Sequence, residues 1–176
     1  MKTICVAGGA SRAGKTAFGA RLLARLQGWS ACKVTTCLER AGEPCPRGRG
    51  DECGVCGRLE GPWEIQEETG GAATAAKDTG RLRAAGASRV LWVRTRPAAL
   101  AEAVRSALAI LKDAPGVLLE GNHVLEVLHP DVAVMVLPAG GAMKKSARDV
   151  KDRVDIFANG FQDEDALERV LRAVAP

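Results

Sequence analysis

Tyrosine is absent from the 176 residues, and three Trp with three Phe bring the aromatic share to only 3%. A surface that stacks the bases of single-stranded nucleic acid has almost nothing to be built from. A dominant charge of one sign is missing too: 25 Lys and Arg face 21 Asp and Glu, for a formal net charge of +4. That balance is too slight to argue for nucleic acid. No run approaches the roughly 20 apolar residues that a membrane span needs. The opening run Thr3-Ile4-Cys5-Val6-Ala7 is shorter than a signal-peptide core and leads into glycines instead of a cleavage site. The expectation is a cytoplasmic protein with neither a membrane nor nucleic acid among its partners. What is present is ordinary: 47% hydrophobic residues in a chain of one domain's length, enough for a core without staples. We read residues 1–176 as a single domain.

Short apolar runs alternate with helical spacings along the chain. Ile4 to Ala7 reads as a buried strand, and Lys15 to Gln27 as a helix with Phe18, Leu22, Leu23 and Leu26 on one face, ended by Gly28. Further strands are expected at Ala31–Leu38, Arg89–Val93, Gly116–Leu119, Asp131–Leu137 and Val154–Ala158. Helices are expected from near Thr74 to Ala85, over Pro97–Lys112, over Met143–Lys151 and over Glu164–Val174. Such alternation predicts an α/β fold with a mostly parallel sheet and helices on both faces, and it puts any ligand at the carboxyl ends of the strands. Between Glu39 and Gly61 the composition changes to Gly, Pro, Arg, Glu and Cys with no period, which marks an insertion.

Gly9-Ala10-Ser11-Arg12-Ala13-Gly14-Lys15-Thr16 fits the phosphate-loop pattern G-x-x-x-x-G-K-[ST] at every fixed position, between an apolar strand and an amphipathic helix. Its glycines let the backbone curl round an anion and turn the amides of about Ala13 to Ala17 inward at the positive end of the helix. Lys15 would reach the β and γ phosphates of a nucleotide, and the Thr16 hydroxyl would take a place on Mg²⁺. Arg12, inside the loop, is a further candidate for phosphate contact. A carboxylate should complete the Mg²⁺ site, and Glu120, at the end of Val117-Leu118-Leu119, is the first candidate. Asp78 is the second; at the start of a helix, capping is an equal reading.

Gly9 to Thr16, Lys77-Asp78 followed by Ala84-Ala85-Gly86-Ala87-Ser88-Arg89-Val90, and Val117-Leu118-Leu119-Glu120-Gly121 together resemble the molybdopterin-guanine dinucleotide biosynthesis adaptor proteins, the MobB family. The resemblance implies a P-loop NTPase fold, GTP binding with Mg²⁺, a homodimer, and work with a cofactor-assembly partner protein. By it, Lys15 and Thr16 are the phosphate and metal residues, Asp78 lies in a Lys-Asp-Ser/Thr motif and Glu120 in a Glu-Gly motif. Two departures stand out. The family's histidine-rich segment after the second strand is replaced by Cys37 and the insertion, and its aromatic and lysine after Glu-Gly are replaced by Asn122 and His123. Nickel-insertion GTPases of the same class also place cysteine or histidine near the nucleotide, so metallocofactor assembly is the expectation both resemblances share.

Asn159 stands where related proteins begin a guanine-reading motif, but Gly160-Phe161-Gln162 follows, and a turn-forming Asn is the competing reading. The base therefore stays open between GTP and ATP. Lys144 and Lys145 read as a solvated helix start, with neutralising phosphates as the alternative, and His123 and His129 as structural residues. Cys37, Cys45, Cys53 and Cys56 have the spacing C-x₇-C-x₇-C-x₂-C. A segment with almost no aliphatic residues cannot fold by burial, so we expect Zn²⁺ or an iron-sulfur cluster to order it, with a redox or disulfide pair and unligated thiols as alternatives. Cys5 and Cys32, within strands, are expected to be small buried apolar residues. The catalytic expectation is slow hydrolysis of the nucleotide with Lys15 and Glu120 at its centre. A small-molecule kinase and a non-catalytic nucleotide-binding adaptor are the alternatives.

Overall fold

The computed structural model describes residues 1–37, 59–72, 74–138, 140 and 142–175. The fold is α/β: seven strands in one sheet, with helices on both faces. In chain order these are β1 (Lys2–Gly8), α1 (Lys15–Leu23), β2 (Ser30–Thr36), β3 (Trp63–Glu67), α2 (Asp78–Ala84), β4 (Val90–Thr95), α3 (Leu100–Ile110), β5 (Gly116–Glu120), α4 (Val124–Val127), β6 (Val132–Val136), α5 (Lys145–Arg148), β7 (Ile156–Ala158) and α6 (Glu164–Val174). The strand order is β3-β4-β2-β5-β1-β6-β7. All pairs are parallel except β3 with β4.

The central strands β1, β5 and β6 are largely apolar because both faces are covered. On one face Val6, Ala31, Leu118 and Val134 pack under Phe18 and Leu22 of α1, Leu82 of α2 and Leu167 of α6. On the other, Cys5, Cys32, Leu119 and Met135 pack under Leu100, Ala103, Val104 and Ala107 of α3, with α4 and α5 beside them. The α3 spacing of three, one and three residues keeps that stripe on a single side. Cys5 and Cys32 are fully buried, as expected of small core residues. Burial pushes the Cys32 thiol up to about 12, and burial followed by the charge of Glu120 raises Cys5 as well, so both stay protonated.

Several boundaries differ from the sequence expectation. The first helix ends at Leu23 because the next turn tightens: Arg25 N–H donates to Leu22 O at 2.9 Å and Leu26 N–H to Leu23 O at 3.2 Å. The helix expected from Pro97 opens as a tight turn over Pro97–Ala99 before α3 begins. The polar helix is the single turn of α5 followed by a second tight turn at Lys151–Arg153, and the last strand is only Ile156–Ala158. Strand β3 was not expected. Its Trp-Glu-Ile-Gln-Glu alternation suits an edge strand, and it runs antiparallel because it starts at the carboxyl end of the sheet, where Trp63 pairs with Thr95. Among the described residues, no helix is long and apolar enough to cross a membrane.

Candidate functional site

At the carboxyl edge of the sheet β1 runs out at Gly8, and the glycine loop begins. Arg12 at φ 59° and Gly14 at φ 95° take left-handed conformations two residues apart, which bends the loop back toward α1. Arg12 is the only non-glycine residue with positive φ among those described. The loop's root is clamped on both sides, with Gly9 N–H donating to Val136 O at 2.9 Å and Lys144 N–H donating to Gly9 O at 2.8 Å. Gly8 precedes the motif, yet it is as constrained as the motif glycines: a Cβ there would lie 2.7 Å from Cγ of Lys15, whose stem crosses it. Helix α1 then starts with no side-chain cap and no acidic residue in its first turn. Its leading amides and the positive end of its dipole are left for an anion.

Beneath the loop, four side chains from four elements form one network. The Thr16 hydroxyl donates to Oε2 of Glu120 at 2.9 Å. Lys33, in the middle of β2, donates from Nζ to Oε1 of Glu120 at 2.7 Å and to Oδ2 of Asp78 at 2.5 Å. Glu120 is 2% exposed and Thr16 is buried, while Asp78 at the head of α2 is half-exposed. Burial by itself would lower the Lys33 ammonium, but the Glu120 charge and the Asp78 contacts more than reverse this and hold it above its ordinary value. Burial opposes ionisation of Asp78, and Lys33, then Thr16 and Lys15, overcome it and keep the carboxyl below its ordinary value. Two carboxylates thus share one ammonium ion, a donor set of hard oxygens with charge to spare.

Sequence reasoning missed two residues of this edge. Lys33 was legible as a lone charge inside the strand Ser-Ala-Cys-Lys-Val-Thr-Thr. Asn122 stood out only as a departure from the resemblance. It is buried and binds Gly8 in both directions, accepting from Gly8 N–H at 2.9 Å and donating to Gly8 O at 3.0 Å. That pair fastens the turn after Glu120 to the start of the glycine loop. Between them Gly121 passes so close to β2 that a Cβ would lie 2.8 Å from Val34 O.

The remaining expectations divide. Ala13 is buried, Ala17 is half-buried at the second position after Lys15, and Arg12 is exposed. Asn159 is exposed in a turn, where its N–H donates to Oδ2 of Asp163 at 2.8 Å; in the same turn Phe161 packs against Gly14. Lys145 pairs with Asp149 at 2.7 Å on the surface, and His123 pairs with Glu126 at 2.7 Å while His129 is exposed. Cys37 is buried at the end of β2, its N–H donating to Thr95 O at 2.8 Å. Cys45, Cys53 and Cys56 lie outside the described residues, and so does most of the insertion expected over 39–61. Among the described residues no group of three or more His, Cys, Asp or Glu could hold a metal ion. Comparison with protein-family models, with curated proteins and with solved structures yields no match in any of the three, so the glycine loop and its carboxylates stand on their own geometry.

Proposed function

We propose that the chain is a P-loop NTPase that binds a purine nucleoside triphosphate, GTP or ATP, with Mg²⁺, and hydrolyses it slowly in the service of metal-cofactor assembly. The observation that carries this reading is the hydrogen bond from Thr16 to Glu120 directly under an uncapped helix start. A hydroxyl and a buried carboxylate in contact, with Asp78 joined through Lys33, are hard oxygen donors of the kind Mg²⁺ takes beside phosphate. The residues fit the metal, and Thr16, Glu120 and Asp78 would hold it. Bound there, Mg²⁺ would offset the negative charge of the β and γ phosphates.

The chain's own residues do the rest. The amides at about Ala13 to Ala17 hold the phosphates, and Lys15 adds a positive charge that its stem, laid across Gly8, keeps at the loop. Lys33 bonds both Glu120 and Asp78 and helps to hold the Asp78 carboxyl below its ordinary value, and Asn122 fastens the turn after Glu120 to the start of the loop. The role in metallocofactor assembly, in the cytoplasm and with a partner protein, follows the resemblance to the MobB family. In it Zn²⁺ or an iron-sulfur cluster on Cys37, Cys45, Cys53 and Cys56 would supply a second metal centre.

Calorimetric titration of parent and Lys15→Ala with non-hydrolysable GTP and ATP analogues in Mg²⁺ tests the reading. We expect the variant to keep its fold by circular dichroism and to lose nucleotide affinity by well over about tenfold, the loss of more than about 1.4 kcal/mol of binding. Equal affinities in parent and variant, or no binding by the parent, overturn it.

A further inference from the structure

We propose that Lys33 is a resident counter-cation that keeps Glu120 and Asp78 prepared for a metal arriving with a nucleotide and refuses divalent cations arriving alone. The inference rests on the metal site proposed above and adds a rule for its selectivity. Its ground is the geometry of one partly buried lysine. Lys33 and Glu120 are direct neighbours in the register of β2 and β5, so the pair is built into the sheet and does not depend on a flexible arm. Nζ takes one oxygen from each carboxylate, Oε1 of Glu120 and Oδ2 of Asp78, while Thr16 takes Oε2 of Glu120. The Lys33 side chain is 20% exposed and that of Glu120 only 2%, so solvent screens the contact weakly.

The consequence is electrostatic. A divalent ion at Thr16 and Glu120 meets the ammonium of Lys33 a few ångström away, and its positive charge offsets much of the attraction of the two carboxylates. A nucleoside triphosphate brings several negative charges to the same place, so the metal that comes with it finds a favourable balance. Lys33 thereby ties metal binding to nucleotide binding, and such a coupling is reciprocal. A lysine serving only to neutralise buried carboxylates would leave the site weaker when removed. The counter-cation leaves it stronger for free metal.

Titration with Mn²⁺ in the absence of nucleotide, followed by electron paramagnetic resonance, reads this directly on the full chain. Lys33→Met is expected to bind free Mn²⁺ more tightly than the parent by about tenfold or more, and Lys33→Arg, which keeps the charge, to stay near the parent. Adding Glu120→Gln to Lys33→Met should remove the gain and so locate the ion. Lys33→Met leaves two carboxylates without their cation, so Lys33→Gln, whose amide still donates to a carboxylate, serves if the first variant unfolds in metal-free buffer. For either variant, Mn²⁺ should raise the melting temperature more than it does for the parent. Free Mn²⁺ binding that is equal in parent and variants, or weaker in the variants, overturns the proposal. Calorimetry with a nucleotide analogue on the same samples separates the two readings. If nucleotide binds and Mn²⁺ does not distinguish the variants, Lys33 falls alone; if the parent binds no nucleotide, the nucleotide reading falls on its own evidence.

Discussion

The two ends of the central strands solve the same problem in opposite ways. At the amino end, β1 and β5 close with apolar contact and a surface carboxylate: Trp29 lies over Gly116, and Asp131 accepts from Thr3 N–H at 2.8 Å and Thr3 Oγ1 at 2.9 Å, with Lys2 at 3.3 Å. At the carboxyl end the same strands and their neighbour β2 join a buried glutamate and threonine to a partly buried lysine in one network. The first arrangement shields the sheet and leaves its charges in solvent, where they contribute little. The second removes charge from water, which stability does not require and which costs desolvation. A fold that needed only to be stable would repeat the amino end. The contrast is why the carboxyl end reads as the working site.

That contrast can be broken most directly at Glu120. Glu120→Ala strips Lys33 and Thr16 of a partner and should lower stability by about 3 kcal/mol in metal-free buffer, measured by urea unfolding. It should also weaken nucleotide binding with Mg²⁺ more than without it; an equal loss in both conditions would remove the carboxylate from the metal site. Gly116→Ala probes the opposite end. The new Cβ would lie 2.4 Å from the Trp29 ring, so stability should drop by about 2 kcal/mol through overpacking, with nucleotide affinity untouched. A change in affinity there would mean that the two ends are not independent.

The smallest effect belongs to Asp131. Burial opposes its ionisation, but the Thr3 hydroxyl and amide, then Lys2, hold the carboxyl below its ordinary value. A depressed folded value contributes stability above the unfolded value of about 3.9 and loses it as pH falls through the folded one. Asp131→Asn should therefore cost at most about 1 kcal/mol near pH 7 and progressively less as the pH falls below about 3.9, with salt shrinking the difference. A larger cost that persists in acid would show packing rather than charge at that end.

Much of this architecture was legible in the sequence because period and punctuation carry it. The apolar runs at Ile4–Ala7 and Val117–Leu119 read as strands covered on both sides, and Gly9 to Thr16 between a strand and a helix marked the glycine loop. Strand β3 escaped because an edge strand buries one face weakly and its alternation sits beside a glycine- and proline-rich stretch. Lys33 and Asn122 escaped for a different reason. Their roles depend on which strands become neighbours, and β2 meets β5 only through a crossover that local pattern does not encode. Glu120 was found because its position at a strand end is local information; its partner was not.

Cys37 and Leu59 are both anchored at one place, Cys37 N–H on Thr95 O and Leu59 O on the guanidinium of Arg96, whose own N–H bonds Pro62 O. The two anchors flank β4, Cys37 following β2 on one side of it and Leu59 preceding β3 on the other. Closing a longer stretch between fixed points costs only about 0.6 kcal/mol for each doubling of its length. Because both anchors lie on the rim where β4 ends and the antiparallel β3 begins, a change in the number of residues between Cys37 and Leu59 is expected to cost the sheet little.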